Sequence, residues 1–79
     1  MTEEAITAIA REVLSPESQM MGKATLTAGR WTISFKHREF DLAQQVHVDD
    51  QPQDDAGKQR TRKQMAQRVG MAVASQRYD

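Results

Sequence analysis

A chain of 79 residues with no cysteine, 28% charged residues and a formal net charge of zero allows one small domain without a disulfide framework, a thiolate nucleophile or a cysteine metal site. The first residues include Glu3 and Glu4 instead of basic side chains, and no apolar run reaches the length of a signal or membrane-spanning segment. The composition predicts a cytoplasmic protein without membrane association, and the thin core expected at this size makes a homodimer or a complex a natural expectation.

The segment TEEAITAIAREVLS predicts a helix over residues 2–14. Ile6, Ile9, Ala10, Val13 and Leu14 form one apolar stripe at helical period, Thr2 suits the N-cap, and Glu3 and Glu4 suit the first turn. Pro16 disfavours helical geometry at Ser15 and ends it. SPES then reads as one further short helical turn, closed by Gly22.

From Lys23 the period changes to two. Ala24, Leu26 and Ala28 alternate with polar residues, as do Trp31, Ile33 and Phe35, so residues 23–37 read as a hairpin turning at Gly29. The apolar phase then moves from odd to even positions at Phe40, Leu42, Val46 and Val48, predicting a bend or bulge around His37 to Glu39. A third strand is expected within 40–49. DDQPQDD reads as an acidic linker over 49–55. A last helix is expected from about Asp55 to Arg77, with Met65, Val69, Ala72, Val73 and Gln76 on one face. Its first two turns carry no apolar anchor and are expected to project or fray. The expected fold is an α+β domain: a three-stranded antiparallel sheet with both helices packed on one face, in the order α-β-β-β-α.

That order, closed by a helix opening on KQRTRKQMA, resembles the double-stranded-RNA-binding fold, which also opens its last helix with basic residues. The likeness covers element order only; that family's lysine pair and alanine-rich continuation are not reproduced here.

Zero net charge conceals segregation. Residues 39–57 carry Glu39, Asp41, Asp49, Asp50, Asp54 and Asp55 and no base, whereas residues 58–78 carry Lys58, Arg60, Arg62, Lys63, Arg68 and Arg77 and no acid. A charge-polarised surface bears on association more than on fold. Asp49, Asp50, Asp54 and Asp55 are candidates for meeting a basic protein partner. Lys58, Arg60, Arg62 and Lys63, helped by Lys36 and Arg38, are candidates for sequence-independent polyanion contact. Asp54 also lies four residues before Lys58, a spacing that favours a local ion pair. Met71 and Tyr78 fall outside the apolar face of the last helix and are candidates for an apolar contact.

Catalytic signatures are missing. His37 and Glu39 form the H-x-E pair of zinc deaminases, but the P-C-x-x-C that completes that site needs cysteine. His37, His47 and Asp49 form a metal set only if they meet across neighbouring strands. Trp31 has Ile33, not a second aromatic, at spacing two, so it reads as core instead of a base-stacking platform. The sequence predicts a non-enzymatic protein-binding module without a cofactor, an accessory or inhibitory protein of the kind mobile elements encode, directed at nucleic-acid-handling machinery. Direct nucleic-acid binding and self-association are the alternatives.

Overall fold

The computed structural model describes residues 1–78. Helix α1 spans Glu3–Leu14; strands β1 (Ser18–Met20), β2 (Thr25–Thr27), β3 (Arg30–His37) and β4 (Gln44–Asp49) follow, and helix α2 spans Asp55–Tyr78. The result is a small α+β domain with two helices and a four-stranded antiparallel sheet. The helix over α1 forms as its sequence predicts: Thr2 Oγ1 accepts the Ala5 amide at 3.2 Å, and Ile6, Ile9, Ala10 and Leu14 are buried.

Strand β3 is the axis of the sheet. Strand β4 pairs with it from Arg30↔Asp49 to Phe35↔Gln44. The opposite side of β3 is shared by two short strands, β1 opposite residues 35–37 and β2 opposite residues 30–32. These two are one ribbon with an interruption. Met20 lies opposite Phe35 and Thr25 opposite Thr32, so five steps along the ribbon match three along β3. An even surplus preserves which face each side chain occupies, and Gly22, at φ 70°, absorbs part of the detour. The three expected strands thus correspond to β2, β3 and β4, and β1 is an additional strand.

Residues 15–18 differ from the expected helical turn. Ser18–Met20 instead extends as β1, because ladder bonds to β3 satisfy its backbone better than one isolated turn would, and the Met21 amide continues the ladder to the Ser34 carbonyl at 2.8 Å. The expected bend near His37 occurs as the end of β3, and residues 38–43 form a loop in which the apolar phase changes. Leu42 therefore lies in the loop, 75% exposed, and not in the core where its phase suggests. Leu26 is on the core side of β2 but at the sheet margin, and is also exposed.

Trp31, Ile33 and Phe35 of β3 and Val46 and Val48 of β4 face the helices. Together with Ile6, Met65, Val69 and Val73 they form the core. The opposite sheet face, with Thr25, Thr27, Arg30, Thr32, Ser34 and Lys36, has no covering layer among the described residues. Helix α2 packs against α1 and β4. Its buried stripe begins earlier than expected, with Gly57 and Thr61 preceding Met65, Val69 and Val73. The first turns do not project, because Gly57 lets the helix lie against the Pro52 carbonyl, and Thr61 Oγ1 is satisfied by the Gly57 carbonyl at 2.9 Å.

The free edge of β4 is covered by side chains of α2. In the antiparallel ladder the Gln45, His47 and Asp49 backbone groups point away from β3, since the flanking Asp50 amide donates to the Gly29 carbonyl. Gln64 Oε1 accepts the Asp49 amide at 2.9 Å, and the Arg68 guanidinium donates to the His47 carbonyl.

Three substitutions test this backbone. Ala28 and Gly29 both have positive φ, 52° and 75°, as a two-residue hairpin of the left-handed type requires. Ala28→Asn is expected to raise stability by about 0.5–1 kcal/mol, because asparagine tolerates that region better than alanine; the urea midpoint measures it. A Cβ on Gly57 would overlap the Pro52 carbonyl oxygen, whereas one on Gly70 meets nothing. Gly57→Ala is expected to cost about 1–3 kcal/mol through overpacking. Gly70→Ala is expected to be neutral or stabilising by up to about 1 kcal/mol in the same denaturation experiment.

Candidate partner-binding surface

The acidic linker and the basic start of α2 form a clasp. The Asp50 carboxylate accepts from the Met1 amino group at 2.8 Å and from the Trp31 indole N–H at 3.0 Å, both on Oδ1. The Gln51 carbonyl takes a second bond from the Met1 amino group at 3.1 Å, and Gln53 Oε1 accepts the Thr2 amide at 2.6 Å. Asp54 Oδ1 accepts the Gly57 amide at 2.7 Å, so Asp54 caps α2. It makes no ion pair with Lys58: the carboxylate is turned toward the orphan amides of the first turn. Asp49 Oδ2 accepts from Gln64 Nε2 at 3.0 Å, closing a two-point grip with the edge bond described above. Of the four candidate acids, Asp55 alone has no polar partner recorded beyond its helix position among the described residues.

The basic candidates divide similarly. Arg62 pairs with Glu12 of α1 at 2.6 Å, and Arg60 Nε donates to Gln51 Oε1 at 3.0 Å. Lys58 is half-buried beside Ala5, Ala8 and Ile9 of α1, while Lys63 is exposed. Lys36 lies on the open sheet face, away from α2, and Arg38 pairs with Glu17 at 2.8 Å. The structure therefore does not bring Lys36 and Arg38 to the α2 cluster. His37 and His47 lie on opposite sheet faces. His37 is buried, accepts the Glu39 amide on Nδ1 at 3.1 Å and packs its ring 5.2 Å from Phe40; His47 is exposed and bonded to Thr32 Oγ1 at 3.0 Å. Among the described residues, no three His, Asp or Glu side chains converge on a metal-sized position.

A different region is less completely satisfied. The 38–43 loop meets the last turns of α2, where Arg77 pairs with Glu39 at 3.4 Å and Gln76 Nε2 donates to the Leu42 carbonyl at 3.5 Å. Phe40, Asp41, Leu42, Ala43, Gln44 and Gln76 line an open groove of about 560 Å3. Behind its rim, Gln44 Oε1 and Gln76 Oε1 are buried without a hydrogen-bond donor. An unpaired buried acceptor costs about 1–3 kcal/mol, so such a pair in one groove is a notable exception to the rule that buried polar groups are bonded. Tyr78 is 90% exposed at this end, and Met71 is exposed on the same helix. The sequence reading included Met71 and Tyr78 but not Leu42, Gln44 or Gln76. Leu42 was masked by its even-numbered apolar phase, and nothing in a glutamine's local sequence distinguishes a buried, unpaired amide from a solvated one.

No protein-family model, curated protein or solved structure matches the chain. No helix among the described residues is long and apolar enough to cross a membrane.

The Met1 amino group, followed by the Trp31 indole, holds the Asp50 carboxyl below its ordinary value of 3.8, against the opposing effect of desolvation. With the folded value depressed, the stabilisation is fully present above the unfolded value and is lost as pH falls through the folded one. Asp50→Asn is expected to cost about 1 kcal/mol at neutral pH, at the low end for a charge-assisted bond because the side chain is partly exposed. The difference from wild type should shrink below about pH 4, as read by urea unfolding at pH 7 and pH 3.

Proposed function

We propose that the chain is a small non-enzymatic module that acts stoichiometrically on a protein partner through the end formed by the 38–43 loop and the last turns of α2. The observation carrying this reading is the exposed Leu42 beside a groove with two donorless glutamine oxygens. An apolar side chain held in solvent next to unsatisfied acceptors is the composition of an interface centre: apolar contact area beside polar groups that need a partner. The acidic linker supports the reading in a secondary role: Asp49 and Asp54 accept only from neutral donors and keep their negative charge, while Asp50 is offset by the Met1 ammonium. Their field favours approach by a basic surface. An accessory or inhibitory protein of the kind mobile elements encode, acting in the cytoplasm on a basic nucleic-acid-handling partner, fits this size and charge.

Direct polyanion contact is the second reading. Its support is that Lys36, Lys58 and Lys63 form no ion pair among the described residues. Engagement of Arg60 and Arg62 with Gln51 and Glu12 reduces the donors ready for phosphate.

The test is quantitative capture from the native host after nuclease treatment, using wild type, Leu42→Glu and Lys58→Gln/Lys63→Gln proteins. A stoichiometric protein that survives nuclease and is reduced about tenfold or more by Leu42→Glu, the scale of an interface hot spot, is the expected result. Equal recovery with Leu42→Glu overturns the assignment of this surface. Loss of the partner with nuclease and with the double lysine variant supports the polyanion reading instead.

A further inference from the structure

We propose that the groove between the 38–43 loop and α2 is a receptor for one arginine side chain of a partner protein. This deepens the protein-binding reading and rests on it. The groove combines three features that a guanidinium on an aliphatic stem complements. Phe40, Leu42 and Ala43 supply apolar wall for the stem. Gln44 Oε1 and Gln76 Oε1 are acceptors without donors, and Asp41 places a carboxylate on the lining. The polar demand is thus for donors and positive charge.

The orientation of one amide is fixed by its neighbour. Gln76 Nε2 donates to the Leu42 carbonyl, so rotating the amide would set oxygen against oxygen and leave the nitrogen facing away. The acceptor therefore lies on the side of the amide away from the Leu42 carbonyl, buried and without a donor. Arginine offers five N–H donors in a planar fork and no acceptor, so it can satisfy two carbonyl oxygens and a carboxylate together. Lysine brings the same charge as a compact, strongly hydrated ammonium, and a neutral apolar side chain meets only the walls. Glu39, the other acid at this end, is engaged by Arg77, which leaves Asp41 as the groove's own carboxylate.

Both glutamine oxygens lie behind the rim, so binding requires the loop to move outward. Its attachments are half-buried Phe40, which packs on the core, and two contacts with α2: the hydrogen bond at Leu42, 3.5 Å, and the solvent-exposed Glu39–Arg77 pair, 3.4 Å. Leu42 itself holds nothing closed, being largely in solvent. Opening exposes acceptors that lack partners in the closed form, and the incoming guanidinium supplies them.

The experiment is a nuclear magnetic resonance titration of the 15N-labelled full chain with N-acetyl-arginine-N-methylamide. The lysine, citrulline and norleucine analogues are run in parallel. Saturable movement of the Gln44 and Gln76 side-chain amides and of the Leu42 backbone amide is expected with arginine. Citrulline and norleucine should bind about tenfold more weakly, the consequence of losing charge-assisted hydrogen bonds. Gln76→Leu and, separately, Asp41→Asn should each weaken arginine binding, while unchanged dispersion elsewhere in the spectrum shows that the variants fold. Equal response to arginine and norleucine overturns the arginine receptor and leaves an apolar contact, in keeping with a protein-binding end. No response at these positions to any analogue also overturns it. The capture experiment with Leu42→Glu then decides the broader reading independently, since that experiment needs no arginine.

Discussion

The Asp50 carboxylate is the point at which three separate parts of this domain meet. One oxygen takes bonds from the Met1 amino group and the Trp31 indole, and so joins the start of the chain, the first buried position of β3 and the linker before α2. The consequences follow along the chain. With Asp50 fixed, the Gln51 carbonyl and the Gln53 side chain reach Met1 and Thr2, and the Pro52 carbonyl is pressed against Gly57. Asp54 is then in position to cap α2, and α2 is launched along β4 and α1. A run of acids with the composition of a solvated tether is instead bonded to Met1, Thr2, Trp31 and the first turns of α2.

This placement changes the meaning of the charge segregation. The linker acids and the helix bases do not annihilate one another as neighbouring ion pairs. Each set is engaged with groups distant in sequence: Asp50 with Met1 and Trp31, Arg62 with Glu12, Asp49 with Gln64. The Met1 ammonium offsets Asp50, whereas the neutral donors at Asp49 and Asp54 direct those carboxylates without cancelling their charge. The field remains available for steering a partner, while specific contact is left to side chains that the fold does not use.

The parts legible in the sequence were those governed by local rules. Thr2, the apolar stripe of α1 and the breaker at Pro16 define the first helix, and alternation around Gly29 defines the hairpin. Strand β1 was invisible because its three residues are extended only by pairing with β3, a tertiary effect that overrides the local preference of SPES. The anchoring of α2 was missed for a related reason. Gly57 and Thr61 contribute by being small, and pattern reading searches for large apolar residues; an Asp three positions before a Gly, as at Asp54 and Gly57, was the available cap signal. Leu42 shows the reverse error, in which parity alone assigned a loop residue to the core. The groove itself was beyond sequence reasoning, since the distance between Gln44 and Gln76 is set by the packing of β4 against α2.

The side-chain cover on β4 has a bearing on how this protein can be recognised. Gln64 and Arg68 occupy the outward backbone groups at Asp49 and His47, and the opposite margin of the sheet is broken between β1 and β2. Neither border offers a long uninterrupted template on which a foreign strand could be added. Recognition through main-chain pairing, which is largely indifferent to sequence, is thereby discouraged. What is left is contact read side chain by side chain, where a single altered position can redirect the choice of partner without disturbing the scaffold beneath it.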